Sequence, residues 1–488
     1  MASLLRLLWT LSLFGFAFYS PAKASGEATI LKVNIPTHPD DHRQIIDASF
    51  QSFSIEFFAF MEYSGNSTRW SGVPIKVRIG GSSQGDVWWI PNQEQGMIGY
   101  YEPGIDKTYN VTLGPAFFDA FDAWPEDTEF VLGLPFPWEE AGFRESNIEI
   151  ASRAYEKLGS RLIGLELGNE RNEVDLTPPE FTQEFLKDAY PISGAVFGDR
   201  NKRIYTVGSF HAPTLIKCSD PEDETACWSV ETLFENGINE NDIAARADTH
   251  QATRFVDSHH DMAAQSTALG VPYILGETNS LFGHGTVNVS DTFAAALWNI
   301  DYTLYSAQTN ITRLGFHQCF GWRYSAWRPI PAFGYPAGVL PSYYGYWVVQ
   351  KALGANGDVG KQVEALVTYD QFTAYGIYDS KTGSLSSVIA LNLLDWDSTK
   401  GEEARPAVTA DFGNLRSKCC KSRTSGEPKV YRLTAPGANA KAPEAIRFGG
   451  QYIDNTEGNI HGELEYEKLG EGGKVTLRAS EAVLITVC

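Results

Sequence analysis

Several motifs that mark common enzyme classes are missing from this sequence. No Gly-x-Gly-x-x-Gly follows the first predicted strand, and no Cys-x-x-Cys spacing occurs. The first absence argues against a dinucleotide-binding fold, and the second against a cysteine zinc site. Ser209 and His211 are not accompanied by a Gly-x-Ser-x-Gly elbow, so they do not predict a serine hydrolase.

Basic residues are scarce as well. The chain has 39 Lys and Arg against 60 Asp and Glu, which gives a formal charge of −21. Proteins that bind nucleic acid neutralise its phosphates with a basic surface. We therefore expect no nucleic acid partner.

Long apolar runs are confined to the first residues. Arg6 precedes an apolar run from Leu7 to Phe18, and the small-residue site Ala22-Lys23-Ala24 follows. This order predicts a signal peptide over residues 1–24 and a secreted, extracellular protein without a membrane segment. A membrane anchor is the alternative, but the run is short for a hydrocarbon core of about 30 Å.

Six cysteines remain after this segment, which is compatible with disulfides in an oxidising compartment. Cys218 and Cys227 bracket a polar loop and form the candidate pair, while the other pairings stay open. Four Asn-x-Ser/Thr sequons predict glycosylation, at Asn66, Asn110, Asn288 and Asn310.

Short apolar strands alternate with helical stretches between residues 46 and 354. The eight predicted strands are Phe53–Glu56, Ile75–Ile79, Glu129–Gly133, Leu162–Glu166, Ile204–Val207, Ala247–His250, Tyr273–Gly276 and Leu314–His317. Eight strands alternating with helices over about 300 residues predict an α/β fold of the (β/α)8, or TIM-barrel, type. A doubly wound open sheet is the alternative.

Two helix starts are predicted from capping residues. Thr177 is followed three residues later by Glu180, the pattern of a capping box. Ser290 is expected to cap the helix that contains Phe293, Leu297 and Ile300.

The pattern changes after residue 354. Alternating apolar runs separated by glycine turns, without a convincing helix, predict an antiparallel β-sandwich domain over residues 355–488. The apolar stretch within residues 25–45 is expected to add a strand to this smaller domain. Residues 46–354 are the predicted catalytic barrel.

Two glutamates stand at the carboxyl ends of predicted strands. Glu170 follows the fourth strand, directly after Asn169, and Glu277 ends the seventh. Reacting groups of barrel enzymes lie at this face. The alternative is that each glutamate is a structural residue that only pairs with Arg or Lys. Two glutamates at matching strand ends favour a catalytic role instead. Retaining glycoside hydrolysis needs such a pair, one as nucleophile and one as acid/base, about 5–5.5 Å apart.

These residues resemble those of the large clan of retaining barrel glycosidases with catalytic glutamates on strands four and seven. A narrower resemblance, over nearly the whole mature chain, is to fungal β-glucuronidases of the heparanase-like family. It rests on Phe53–Glu56, Val77–Ser83, Leu165–Glu170, Leu275–Asn279 and Ser480–Leu484. The resemblance implies a barrel plus a β-sandwich and exo-acting removal of terminal β-linked, including 4-O-methylated, glucuronic acid. It also implies that no metal or cofactor is used.

The resemblance assigns roles residue by residue. Glu170 corresponds to the acid/base, Glu277 to the nucleophile, Asn169 to the ligand of the sugar 2-hydroxyl and Glu56 to another hydroxyl ligand. The segment Gly283-His284-Gly285 and Tyr324 correspond to the ligands of the glucuronate carboxylate. On strand six the family usually has a triplet with a tyrosine that contacts the nucleophile, whereas this chain has His250-Gln251-Ala252. His250 in this triplet is a candidate substrate-binding residue. Phe282 likewise stands where the family often has an aromatic residue with a hydroxyl group, just after the nucleophile.

Other residues and other functions stay open at this point. His317 at a strand end is a further candidate for the pocket, whereas Trp322 and Trp327 are predicted mainly to pack. A retaining β-glycosidase or endo-glycanase for a neutral sugar is the first alternative function. A catalytically inactive carbohydrate-binding glycoprotein is the second. The sequence does not predict an oligomeric state.

Overall fold

The structure is a computed structural model. It describes residues 29–65, 75–101, 108–136, 142–170, 176–202, 204–210, 229–237, 243–248, 253–281, 283–354, 360–413, 415 and 427–487. Within these residues, no helix is both long and apolar enough to cross a bilayer.

The central element is a curled parallel sheet whose eight strands, all in the described ranges, close into a barrel. In chain order the barrel strands are Gln51–Glu56, Lys76–Gly80, Glu129–Leu134, Leu162–Leu167, Tyr205–Phe210, Ile243–Asp248, Tyr273–Thr278 and Ile311–Gln318. The last strand pairs in parallel with the first, and the fifth pairs with the sixth. The predicted α/β class and seven of the predicted strand positions are thereby confirmed.

The sixth predicted strand, Ala247–His250, was placed too late in the chain. The strand runs from Ile243 to Asp248 and pairs with both of its neighbours. Its sequence, Ile-Ala-Ala-Arg-Ala-Asp, has little β-branched or aromatic character. Pairing with two adjacent strands therefore defines this element more than local propensity does.

Helices follow most of the barrel strands and cover the outside of the sheet. In the described residues the α-helices are Phe60–Tyr63, Phe143–Leu158, Pro178–Phe197, Val230–Glu235, His260–Ala268, Phe293–Ser306 and Tyr343–Leu353. One hydrophobic core cluster joins the apolar faces of these helices to the barrel strands. A three-stranded sheet of Val87–Trp89, Met97–Tyr101 and Thr108–Leu113 is inserted after the second barrel strand.

The two capping predictions have different outcomes. The side chain of Thr177 accepts from the Glu180 N–H, and Glu180 accepts from the Thr177 N–H over 2.8 Å, which confirms the capping box. The prediction for Ser290 was wrong, because the helix begins after Thr292. Ser290 Oγ instead accepts from the N–H of Thr286 and from the hydroxyl of Ser280.

The C-terminal part contains two further sheets. The larger has the strand order Lys361–Tyr369, Phe372–Asp379, Leu385–Asn392, Glu481–Thr486, Lys429–Thr434 and Arg447–Phe448, with Glu467–Lys468 beside Lys429–Thr434. The smaller has the order Thr29–Lys32, Ala407–Asp411 and Lys474–Arg478. Residues of both sheets share a second hydrophobic cluster, which includes Ala374, Val388, Ala410 and Leu477.

Candidate active site

Barrel strands bring four of the predicted site residues to one face. Glu56 is the last residue of the first strand, and Glu277 lies one residue before the end of the seventh. Asn169 and Glu170 follow the fourth strand, which ends at Leu167. All these positions are at the carboxyl ends of parallel strands, where barrel enzymes place their reacting groups.

Glu170 has an unusual backbone conformation for a glutamate. Its φ angle is +51°, in the left-handed region that non-glycine residues rarely adopt. The N–H of Gly168 donates to Leu134 O over 2.8 Å and fixes the chain as it leaves the strand. Positive-φ residues outside glycine cluster at functional sites, so this turn is a feature of the candidate site.

Arg78 connects the ends of the fourth and seventh strands. Its Nη1 donates to Glu277 Oε2 over 2.6 Å, and its Nη2 donates to Asn169 Oδ1 over 2.6 Å. Arg78 also pairs with Glu166 and is 5 % exposed. Burial alone would lower the pKa of Arg78, but Glu166 and Glu277 outweigh it and raise that pKa. The guanidinium is therefore permanently charged beside the predicted nucleophile.

Glu56 is held in a separate set of hydrogen bonds. The N–H and hydroxyl of Ser83 donate to its Oε1 over 2.8 and 2.5 Å. A side chain on Gly81, which has φ +102°, would overlap the Glu56 carboxylate, so this turn requires glycine. Burial disfavours the carboxylate form of Glu56, but hydrogen bonds from His317 and Ser83 prevail and lower its pKa.

His317 lies between Glu56 and Glu277. Its Nε2 is 3.1 Å from Glu56 Oε2 and 3.6 Å from Glu277 Oε1, and its Nδ1 is 2.9 Å from Ser54 Oγ. Ser54 in turn accepts from Arg78 Nη1 over 2.9 Å. The candidate role of His317 in the pocket is supported by these contacts, which join it to both carboxylates.

The two segments predicted to bind a sugar carboxylate lie next to each other. The Arg323 N–H donates to His284 O over 2.9 Å, and a Cβ on Gly285 would be 3.0 Å from the Tyr324 backbone nitrogen. The ring of His284 stacks on Trp322 with centroids 4.1 Å apart. Trp322 in turn lies 5.0 Å from the ring of His317, which joins this loop pair to the carboxylates.

Tyr324 is buried close to the acidic groups. Burial, followed by the negative charges of Glu277 and Glu56, raises its pKa well above the ordinary value for tyrosine. The phenol therefore stays protonated and can act as a hydrogen-bond donor in this region.

Several other predictions fall on surface positions or outside the described residues. Among the sequons, Asn110 and Asn288 are exposed and Asn310 is half-buried, and all three have positive φ. Cys319 is buried and forms no disulfide within the described residues. Outside the described residues lie His250, Gln251, Ala252, Phe282, Asn66 and the candidate pair Cys218 and Cys227.

Sequence reasoning assigned no role to Arg78, Ser54, Ser83 or Glu166. The available signal was a charged residue in the middle of an apolar strand, which needs a buried partner. Arg78 and Glu166 both show it, at the centre of Lys-Val-Arg-Ile-Gly and within Leu-Ile-Gly-Leu-Glu-Leu.

Comparison with known proteins gives consistent matches. Residues 374–484 match the Glycosyl hydrolase family 79 C-terminal beta domain. The chain is 27 % identical to a beta-glucuronidase of Aspergillus niger over 461 residues, covering 82 % of each chain. It is 25 % identical to a beta-glucuronidase of Neurospora crassa, covering 81 % of this chain and 83 % of the relative.

Solved structures extend the likeness to the fold. A 4-O-alpha-L-rhamnosyl-beta-D-glucuronidase from Fusarium oxysporum, in complex with Rha-GlcA, matches with a TM-score of 0.71 at 21 % identity, covering 94 % of this chain and 100 % of that chain. An arabinofuranosidase matches with a TM-score of 0.59 at 12 % identity, covering 94 % of this chain and 99 % of that one. The chain is therefore a glycoside hydrolase with a family 79 C-terminal beta domain, and it is related to fungal beta-glucuronidases.

Proposed function

We propose that this protein is a secreted, retaining exo-β-glucuronidase that uses Glu277 as nucleophile and Glu170 as general acid/base. The observation that carries the proposal is the double contact of Arg78 with Glu277 and Asn169. It joins the strand-seven carboxylate to the residue directly before Glu170. Retention requires one attacking carboxylate and one proton donor on opposite sides of the scissile bond.

The reaction proceeds by double displacement. A lone pair of the Glu277 carboxylate attacks the anomeric carbon, the bond to the aglycone oxygen breaks, and Glu170 gives its proton to that oxygen. Water then attacks the anomeric carbon of the glycosyl ester, Glu170 takes the water proton, and the bond to Glu277 breaks. Free β-configured sugar leaves, and both glutamates return to their starting forms.

Residues around the nucleophile support the first step. Arg78 and His317 approach different oxygens of Glu277, at 2.6 and 3.6 Å, and so restrict its rotation. Asn169 is half-buried at the mouth, where the predicted contact with the sugar 2-hydroxyl strengthens as positive charge develops at the anomeric carbon. Glu56 remains available as an acceptor for another sugar hydroxyl.

Two observations support glucuronic acid as the sugar that the enzyme removes. The curated relatives are beta-glucuronidases, and the matched Fusarium oxysporum enzyme is a glucuronidase in complex with Rha-GlcA. Gly285 lies against the backbone of Tyr324, and the Arg323 N–H donates to His284 O, so the two segments that the resemblance assigns to the glucuronate carboxylate are neighbours. Neutral donors such as amides and a phenol solvate a carboxylate.

The proposal includes the location and the full architecture. The order of basic residue, apolar run and small-residue site in residues 1–24 supports secretion. The shared cluster of the two C-terminal sheets supports a β-sandwich packed beside a (β/α)8 barrel. The proposed partner is a carbohydrate or glycoside with a terminal glucuronic acid.

The test is hydrolysis of p-nitrophenyl β-D-glucuronide beside the matching glucoside and galactoside. We expect release from the glucuronide alone, and loss of release in Glu277→Ala. The control is Asp188→Asn, which changes a buried carboxylate on the helix Pro178–Phe197 outside the barrel. Asp188 pairs with the half-exposed Arg144, and the variant should stay active. Full activity of Glu277→Ala would refute the mechanism, and release from a neutral sugar alone would refute the substrate.

A further inference from the structure

Glu166 is a buried carboxylate below the reacting groups. It lies on the fourth barrel strand, four residues before Glu170, and is 1 % exposed. A buried ionised carboxylate is costly unless it is paired and hydrogen-bonded. The proposed reaction does not use Glu166, so its presence at this depth needs another explanation.

Among the described residues, the hydrogen bonds of the Glu166 carboxylate are all with Arg78. Arg78 donates to it from Nη2 over 2.5 Å and from Nε to both oxygens over 3.1 and 3.0 Å. These hydrogen bonds come from the Nε–Nη2 edge of the planar guanidinium. The remaining edge then points Nη1 at Glu277, while Nη2 also reaches Asn169. The orientation of the plane decides both of these contacts.

Charges alternate from the barrel floor to the nucleophile. Arg313 on the eighth strand acts electrostatically on Glu166, Glu166 pairs with Arg78, and Arg78 pairs with Glu277. Lys76 lines the same floor but is near Asp47 and Glu129, each at 3.6 Å. The cavity beside Glu166 has about 10 Å³, close to the minimum for one water, so little solvent is there to screen these charges.

We infer that Glu166 is a positioning residue, which acts through Arg78 to aim one edge of the guanidinium at Glu277 and Asn169 together. The inference rests on the proposed function for its effect on catalysis. Because Arg78 pairs with Glu166 as well as with Glu277, its positive charge is shared between two carboxylates. It therefore does not neutralise the nucleophile alone.

Two substitutions separate the effect of the charge of Glu166 from the effect of its side-chain length. Glu166→Gln removes the charge at similar volume. We expect kcat for the aryl glucuronide to fall by about 100-fold, the cost of a misplacement of about 1 Å, with KM little changed. The acid limb of kcat/KM should move to lower pH, because Glu277 then faces Arg78 without a repelling carboxylate. Glu166→Asp keeps the charge but is shorter, so kcat should fall while the acid limb stays in place.

The matched control is Asp188→Asn. Asp188 is equally buried and pairs with Arg144 over 2.6 Å, but it lies on the helix Pro178–Phe197. A purely structural role for Glu166 would make both amide variants lose stability without a change in the pH profile. A Glu166→Gln variant with wild-type kcat and acid limb would overturn the inference. If Glu166→Gln does not fold, the kcat of Glu166→Asp decides whether the inference holds.

A crystal structure of Glu166→Gln tests the geometry independently of activity. We expect the hydrogen bond between Arg78 and Asn169 to be lost as the guanidinium turns. An unmoved guanidinium would contradict the inference even if the wild-type protein hydrolyses glucuronides. Failure of the wild-type protein to hydrolyse any glucuronide would instead count against the proposed function, and the crystallographic result would still decide the role of Glu166.

Discussion

The imidazole Nε2 of His317 lies 3.1 Å from Oε2 of Glu56, although 261 residues separate them in the chain. The two residues come from the eighth and first barrel strands, which pair in parallel and thereby close the barrel. Both side chains are almost fully buried. The contact therefore links the closure of the barrel to the charge state of one carboxylate.

Glu56→Gln should change how stability depends on pH. The lowered pKa of Glu56 means that its carboxylate stabilises the folded protein above the ordinary glutamate value of about 4.3. That contribution is lost as the pH falls through the lower folded-state value. We therefore expect the variant to be destabilised most near neutral pH and to approach the wild type on acidification, as measured by denaturant unfolding at several pH values.

Asp188→Asn should show the opposite pH dependence of stability in the same unfolding experiment. Burial, only partly offset by Arg144, raises the pKa of Asp188. Its charged form is therefore disfavoured in the folded state, and the wild-type side chain contributes less as the pH rises. Parallel pH curves for the two variants would contradict the assigned environments.

Glu170→Gln should lower activity according to the leaving group. General acid catalysis contributes about 10²–10⁴-fold, and the loss is greatest when the aglycone oxygen is strongly basic. The first step on p-nitrophenyl β-D-glucuronide should therefore suffer less than that on a methyl glucuronide, because p-nitrophenolate leaves without protonation. Steady-state and burst kinetics on both substrates measure this, and an equal loss on both would argue against the acid role.

Trp322 should matter through its ring and not through its N–H. The ring stacks on His284, whereas Nε1 is buried without a hydrogen-bond partner among the described residues. Trp322→Ala should cost about 3–5 kcal/mol of unfolding free energy. Trp322→Phe keeps a ring there and should cost much less. The alanine variant should also raise KM for the glucuronide, because His284 loses its support, and thermal unfolding with KM values tests both statements.

Thr177→Ala should destabilise the helix Pro178–Phe197 without affecting the site. The change removes the cap of the Glu180 N–H, which is typically worth about 1 kcal/mol. Thr177→Ser keeps the hydroxyl and serves as the control. Denaturant unfolding should separate the two variants, and a loss of activity in either would show that this helix influences the barrel mouth.

Most barrel strands were predictable because they are short runs rich in apolar residues, separated by helical stretches. Tyr273–Thr278 illustrates this, since every residue in it is buried and its polar residues, Glu277 and Thr278, stand at the carboxyl end. The strand Lys361–Tyr369 was not predicted, because its Lys-Gln-Val-Glu-Ala start mixes polar and apolar residues without clear alternation. Its pairing with Phe372–Asp379 stabilises it as a strand.

The strand-end positions of Glu170 and Glu277 were predictable, but the contacts around them were not. Glu170 and Glu277 each follow from a local pattern. The role of Arg78 depends on partners 88 and 199 residues away, at Glu166 and Glu277. No spacing rule along one chain encodes which strands will face each other across a closed barrel. Closure of the sheet supplies that information.

The strand Glu481–Thr486 is made after every other described strand, yet it lies inside the larger C-terminal sheet, between Leu385–Asn392 and Lys429–Thr434. While the ribosome is still adding these residues, the two neighbouring strands have no partner between them and present open edges. The nascent chain must therefore leave a gap in this sheet until Glu481–Thr486 has cleared the exit tunnel. Synthesis of Glu481–Thr486, rather than completion of the barrel, is the event that allows this sheet to assemble.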